Sequence, residues 1–295
     1  MIIVIDAINK HRFQHVLDDM FRLRARVFAD RLGWEVEVSD GKEIDKFDRL
    51  DPAYVVGLDD EGHVVACVRA LQTTGPHMLA DVFSAILDGE PPLRSATLWE
   101  STRFCVDTQR LGRGKARNSI SYATCELMIG SLEFARRSGI SDIVTVIDPI
   151  IDRILKRSNS APYDYLGTAK PMGKVTAMAA LLDCTEERIN RIRAFAGIHH
   201  DVHLSDEEAL ALVARRVAGE ATAAGQPTLA VVDGDSPEEN APAPSIDALC
   251  AYLRAQIRDA RDETELEAAL ALMEELLKSG RGETPKRPAP HRVVG

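Results

Sequence analysis

The sequence predicts an α/β protein, a mixed sheet flanked by helices, and three observations carry that expectation. Strand-like and helix-like hydrophobic periods alternate over roughly the first 200 residues. The run Asp59-Asp60-Glu61-Gly62 makes a tight turn between two apolar stretches. Ser138-Gly139 closes one helical pattern, Ile143–Ile147 reads as a buried strand, and Pro149 opens another helix. Helices flanked by strands, with a tight turn among them, suggest a sandwich of mixed connectivity rather than a purely parallel sheet.

Taken in order, residues 2–6 form a short apolar strand. Phe13, Val16, Leu17, Met20, Leu23, Val27 and Leu32 then follow the helical period, which predicts one helix over about 11–32. Residues 33–52 are polar and acidic without a period, and are expected to form a long loop. Strands are expected at 54–58, 64–73 and 97–106, and a helix over about 115–138 that Gly139 caps. The strand at 143–147 precedes a helix from Pro149 to about 158; strands follow near 163–167 and 173–182, and Thr185 starts another helix.

Beyond about 200 the character changes. Residues 1–204 are expected to form the catalytic domain, and 205–245 an alanine-rich helix running into an acidic, proline-rich linker. Ile246, Leu249, Leu253 and Ile257, then Leu266, Leu270, Met273 and Leu277, predict a helical hairpin over 246–279 of unassigned role. Residues 280–295 are proline-rich and basic, and are expected to be disordered.

Hydrophobic residues make up 45% of the chain and charged residues 28%, enough apolar material for a core without disulfides or metals. The five cysteines are scattered, odd in number and free of C-x-x-C spacing, which reads as reduced, cytosolic usage. No apolar run reaches membrane length, and a cytoplasmic location is expected. A net charge of −10 argues against nonspecific nucleic-acid binding.

Three constellations carry chemistry. In the first, Arg24 and Phe28 stand four apart and share a helix face; Trp34 falls just past the helix end, and Asp45 and Asp48 follow. Aromatic rings of this kind favour a cation such as a sulfonium; the plain alternative is two core aromatics and a surface charge. In the second, Arg69 lies on one strand, and Glu100, Ser101 and Arg103 on another. Charges in strands are costly if buried unless paired, and Asp45, Asp48 and Glu100 can balance Arg24, Arg69 and Arg103; a solvent-facing strand is the alternative. The third, Gln109-Arg110-Leu111-Gly112-Arg113-Gly114, places glycines and arginines between a strand and a helix, where backbone N–H groups can meet phosphate. A basic turn with no ligand has the same composition. Arg153, Lys156 and Arg157 could extend that surface toward an acidic carrier protein.

Together these residues resemble the LuxI-type acyl-homoserine-lactone synthase family over roughly residues 1–200. Arg24, Phe28, Trp34, Asp45, Asp48, Arg69, Glu100 and Arg103 stand in the family's order with its gaps. The resemblance implies a GCN5-type N-acyltransferase-like fold and a two-part reaction. In it the amine of S-adenosylmethionine attacks an acyl thioester on acyl carrier protein or coenzyme A. The carboxylate of the acylated intermediate then closes onto the methionyl γ-carbon and expels methylthioadenosine. The substrates are thus S-adenosylmethionine and acyl-ACP or acyl-CoA, with no tightly bound cofactor and no metal. Arg24, Phe28, Trp34, Asp45, Asp48 and Arg69 fall to the S-adenosylmethionine side. Glu100, Ser101 and Arg103 become the catalytic group, Glu100 fixing the site by ion-pairing and serving as candidate base. Thr145 resembles an acyl-pocket position often held by threonine where 3-oxo-acyl products are made. The competing functions are a GCN5-like N-acyltransferase using acyl-CoA and another amine, which has no use for the N-terminal set, and a noncatalytic binding protein on the same fold. His199, His200 and His203 lack a second ligand cluster and read as a solvated helix end rather than a metal site, and Cys105 as a small buried strand residue.

Overall fold

The computed structural model describes residues 1–112, 119–172 and 175–223. Arg113, Gly114, the 246–279 hairpin, the basic tail and most of the linker lie outside the described residues. Nine strands and six α-helices occur among the described ones. Strand β1 (Ile2–Ile5) leads through a 3₁₀ turn (Lys10–Arg12) into α1 (Gln14–Arg24). Val16, Leu17, Met20, Leu23 and Arg24 form the buried face of α1. The helix predicted to reach about 32 changes type at its last third: Ala25–Arg31 is π-helical, with Leu32 N–H donating to the Val27 carbonyl five residues back at 3.0 Å. A hydrophobic period cannot distinguish such wide turns from an α-helix, because both bury one face.

The expected long loop holds structure of its own. Strands β2 (Val38–Ser39) and β3 (Lys42–Glu43) pair antiparallel, and Lys46–Leu50 is a 3₁₀ helix. Asp45 caps it, accepting the N–H groups of Phe47 and Asp48 while Asp48 accepts the N–H of Asp45. This reciprocal box is a local signal that a hydrophobic-period reading misses.

The main sheet runs β1–β4–β5–β6–β7–β9–β8, where β4 is Ala53–Leu58, β5 Val64–Gln72, β6 Leu98–Val106, β7 Asp142–Ile147, β8 Asp164–Met172 and β9 Val175–Asp183. Only β6 and β7 are parallel; every other neighbour pair is antiparallel. One face packs against α3 (Ile120–Arg137) and α5 (Glu186–Ala196) through Ile143, Ile147, Leu127, Ile129, Leu132 and Ile192. The other face is covered by α1 and by α2 (Met78–Asp81) with the 3₁₀ turn Ser84–Leu87, two short elements the hydrophobic pattern does not show. Helix α4 (Pro149–Arg157) follows β7, its Pro149 at the first turn and Asp148 as cap.

Helix α6 (Asp206–Ala223), expected from sequence as the alanine-rich helix ahead of the linker, places Ala209, Leu212 and Val213 in the same core as α1. Packed material therefore continues beyond residue 204.

Candidate active site

The centre of the site is a buried cluster of six charged side chains. Arg24, the last residue of α1, makes a two-pronged pair with Asp48 at 2.8 and 2.9 Å and meets Glu43 at 2.5 Å. Arg69, on the middle of β5, pairs with Asp45 at 2.5 and 2.9 Å and with Asp48 at 2.8 Å, and donates to the Thr102 hydroxyl at 3.0 Å. Arg103 reaches Glu43 at 3.0 Å and Asp45 at 2.9 Å. Three positive and three negative charges thus balance out of water, the condition under which ion pairs of this burial persist. Asp48 also accepts the Tyr54 hydroxyl at 2.7 Å. Burial works against the charge of Arg24, but Asp48 and Glu43 more than offset it and raise its pKa. Burial likewise disfavours the Asp48 carboxylate, yet Arg24 and Arg69 pull its pKa well below the ordinary range.

Glu43 was not among the sequence-derived residues, although it is fully buried and bridges Arg24 to Arg103. Its spacing from Asp45 in an acidic stretch is the signal that could have found it. Glu100, in contrast, does not fill the ion-pairing role expected of it. Its carboxylate accepts the N–H groups of Met78 at 2.6 Å and Leu79 at 2.7 Å, the first two residues of α2. Burial pushes its carboxyl up to about 7, the two N–H groups pulling the other way. The difference arises because α2, invisible in the sequence, brings orphan helix N–H groups to a strand carboxylate. Met78 fills the space between the two: its Sδ lies 3.3 Å from the Arg69 guanidinium and 3.4 Å from that of Arg103.

Phe28 and Trp34 stack with ring centroids 5.1 Å apart and planes 24° from parallel, and the Arg103 guanidinium sits 5.5 Å over the Phe28 ring. Phe28 is buried whereas Trp34 is 38% exposed, so the pair has a wet edge open to a ligand. The Trp34 N–H donates to the Phe28 carbonyl at 2.9 Å, which folds the chain back as the spacing suggested.

Arg103 has φ of +56°, and β6 slips register against β5 between Cys67 and Arg69. This bulge aims the Arg103 side chain at the cluster, at a backbone cost of about 1–2 kcal/mol for a non-glycine residue. The ladder from β6 to β7 ends at Ser101–Thr145, although β6 runs on to Val106 and β7 to Ile147. The two strands therefore part, and Ser101, Thr102, Arg103, Phe104, Thr145 and Val146 are only half-buried there. Strand alternation puts Ser101 and Thr145 on the α3–α5 face, across the sheet from Glu100. The Thr145 hydroxyl donates to the Ser101 carbonyl at 3.0 Å. Ser101 is thus grouped with Thr145 rather than with the ionic cluster.

The loop after β6 differs from expectation in one respect. Arg110 is not free to meet phosphate: it pairs with Asp59 at 2.7 Å and Glu61 at 2.9 Å on the β4–β5 turn. The N–H groups of Gln109 and Arg110 donate to Asp107, both at 3.0 Å. Gly112 lies beside Ser119, the cap of α3; Arg113 and Gly114 are outside the described residues.

Cys105 faces Cys67 across β5 and β6 with sulfurs 3.5 Å apart; that contact and burial hold its thiol well above its ordinary pKa, which makes it a poor nucleophile. The Tyr122 hydroxyl lies 3.4 Å from His200, and His203 lies 3.4 Å from Glu133. Among the described residues no group of three His, Cys, Asp or Glu side chains could hold a metal ion, and no helix is long and apolar enough to cross a membrane.

Known proteins share this family and fold. A family model described as autoinducer synthase matches residues 9–192. The acyl-homoserine-lactone synthase of Agrobacterium fabrum is 39% identical over 171 residues, 58% of this chain and 80% of that protein. That of Aeromonas salmonicida is 36% identical over 167 residues, 57% of this chain and 79% of its own. Among solved structures, the CoA-dependent acyl-homoserine lactone synthase BjaI, determined with SAM and isopentyl-CoA, is 25% identical with a TM-score of 0.62, covering 72% of this chain and 97% of that one. A second CoA-dependent synthase, MesI, is 28% identical with a TM-score of 0.60, covering 70% and 100%. The common architecture is the mixed, helix-flanked sheet expected of the GCN5-type N-acyltransferase-like class.

Proposed function

The chain belongs to the autoinducer synthase family, and from that premise we propose how its own residues divide the reaction. It makes an acyl-homoserine lactone, a quorum-sensing signal, from S-adenosylmethionine and an acyl thioester. The observation that carries the residue assignment is the buried, charge-balanced cluster lying between the Phe28–Trp34 stack and the bulged strand β6.

A balanced cluster attracts no ion strongly, so we assign it a framing role: it fixes Arg103, Asp45 and the Phe28 ring at the S-adenosylmethionine side. The exposed edge of Trp34, with Phe28 behind it, suits the sulfonium, an interaction of roughly 0.5–2 kcal/mol. The acyl donor enters where β6 and β7 part, its chain toward Ser101 and Thr145 and its thioester carbonyl toward the other face. A backbone N–H near Arg103–Cys105 would then stabilise the negative charge that grows on the carbonyl oxygen.

The neutral amine of S-adenosylmethionine attacks that carbonyl, the C–N bond forms, and the thioester C–S bond breaks, its sulfur leaving as thiolate and ending with the proton the amine gives up. Glu100, with its pKa near neutrality, takes the amine proton directly or through water. In the second part a carboxylate oxygen attacks the methionyl γ-carbon; the C–S bond breaks toward sulfur, and methylthioadenosine leaves as a neutral thioether. That step needs no base and depends on positioning.

The solved relatives named above are CoA-dependent, and the family resemblance implies a carrier-protein donor as the other choice; the pantetheine thioester is common to both. Supplying S-adenosylmethionine with a panel of acyl-ACP and acyl-CoA donors, and following methylthioadenosine by mass spectrometry, tests the function and identifies the donor. Absence of methylthioadenosine with every donor, from folded protein, would overturn it.

A further inference from the structure

Asp107 stands where β6 ends and the Gln109–Gly112 loop begins, and its two carboxylate oxygens serve two parts of the molecule. Oδ1 accepts the N–H groups of Gln109 and Arg110, and so fixes the chain leaving β6, the strand along which the donor is placed, as an aspartate turn. Oδ2 accepts the Arg26 guanidinium at 3.0 Å. Arg26 belongs to the π-helical segment Ala25–Arg31, which makes a second link: Arg31 donates to the Thr108 hydroxyl and, at 3.4 Å, to the Val106 carbonyl. The same segment carries Phe28, which stacks on Trp34 and lies under Arg103. One wide-turned segment therefore touches the end of β6, the strand along which the donor is placed, with its arginines and the S-adenosylmethionine side with its aromatic ring. Single π-helical insertions of this kind concentrate at functional sites.

Burial does not explain Asp107 as a stability device. The carboxylate is buried, but Arg26 is 44% exposed, and a pair so open to solvent contributes little to folding. Burial raises the carboxyl pKa, and the Arg110 N–H and Arg26 more than reverse that, so the group stays ionised.

We propose that Asp107 is a positioning residue for the acyl donor, and that its contact with Arg26 couples donor affinity to occupancy of the S-adenosylmethionine side. This rests on the assignment of the two substrate sides made above. Coupling between two ligands must be reciprocal in binding free energy. The 25–31 segment contacts both sides, so the first substrate bound holds in place the contacts that the second one needs.

The test uses the full chain and measures binding without turnover. S-adenosylmethionine is titrated calorimetrically with and without saturating free coenzyme A, and separately holo acyl carrier protein; neither carries an acyl group. The wild type should bind S-adenosylmethionine at least about fivefold more tightly with the donor probe that fits. Asp107→Asn keeps an oxygen for the two loop N–H groups but cannot accept Arg26 with its amide nitrogen, and Arg26→Gln breaks the same contact from an exposed position. Both should reduce the coupling to less than about twofold, with the double variant no worse than either single one and melting temperatures little changed. Should Asp107→Asn fail to fold, Arg26→Gln carries the test alone. Unchanged coupling in the variants, no coupling in the wild type, or no binding of either probe overturns the inference. Methylthioadenosine release in the same preparation shows whether the synthase function stands independently of that result.

Discussion

Glu100 meets two demands that pull in opposite directions. Its folded pKa of about 7, against an ordinary 4.5, means the native state holds the proton more tightly than the unfolded chain. The stability drawn from it is full below about pH 4.5 and is lost as pH rises through about 7, an effect of at most ~3 kcal/mol. Proton transfer from the amine needs the opposite form, the carboxylate. Turnover should therefore rise through about pH 7 while stability declines, and Glu100→Gln should lose the pH-dependent limb along with about 10²–10⁴-fold in rate. A pH profile of methylthioadenosine release checks this; a limb that persists in Glu100→Gln assigns the base elsewhere. At this scale Arg24, Arg69 and Arg103 were legible because charged residues within apolar periods demand partners, and Asp45 and Asp48 because their place after the first helix follows the family's order. Glu43 and the true partners of Glu100 were not, since a β-hairpin and a four-residue helix supply them and neither has a hydrophobic period.

At the scale of elements, the cover over β7, β9 and β8 depends on one close approach. Gly167, in the β8 bulge, has φ of +58°, and a Cβ there would lie 1.8 Å from the Ile86 carbonyl oxygen. Gly139, the cap of α3, has φ of +78° with nothing within 4 Å of an added Cβ. Gly139→Ala should cost only the left-handed backbone penalty, about 1–2 kcal/mol. Gly167→Ala must also displace backbone and should cost clearly more, read as the lower denaturation midpoint in urea; equal midpoints would contradict the packing. The long helix predicted over 11–32 begins at Gln14, after a separate 3₁₀ turn, and changes kind at Ala25. Its hydrophobic stripe continues through Val27, so the change to π turns was hidden, yet those turns carry Arg26 and Arg31 to the end of β6.

For the whole molecule, the unsettled boundary lies at the C-terminus. Helix α6 is tied to the N-terminal region by Arg12–Asp206, Arg216–Asp19 and Leu212 against Gly62. The β4–β5 turn containing Gly62 also holds Arg110. Ending the chain after residue 223 should leave methylthioadenosine release intact. Ending it before α6 exposes Leu212 and Val213 and should lower the melting temperature by several degrees, about 2–4 °C per kcal/mol for a body of this size. Equal melting temperatures for the two truncations would show α6 to be dispensable.

The sequence by itself determined the α/β class, the order of the seven main-sheet strands and of the longer helices, and the family, because hydrophobic periods and the order of a few charged residues are properties of the chain alone. Tertiary structure decided which charges meet and where β6 and β7 part. Those outcomes depend on register, on one bulge at Arg103 and on short capped turns, and each involves residues far apart in sequence whose pairing no local period records.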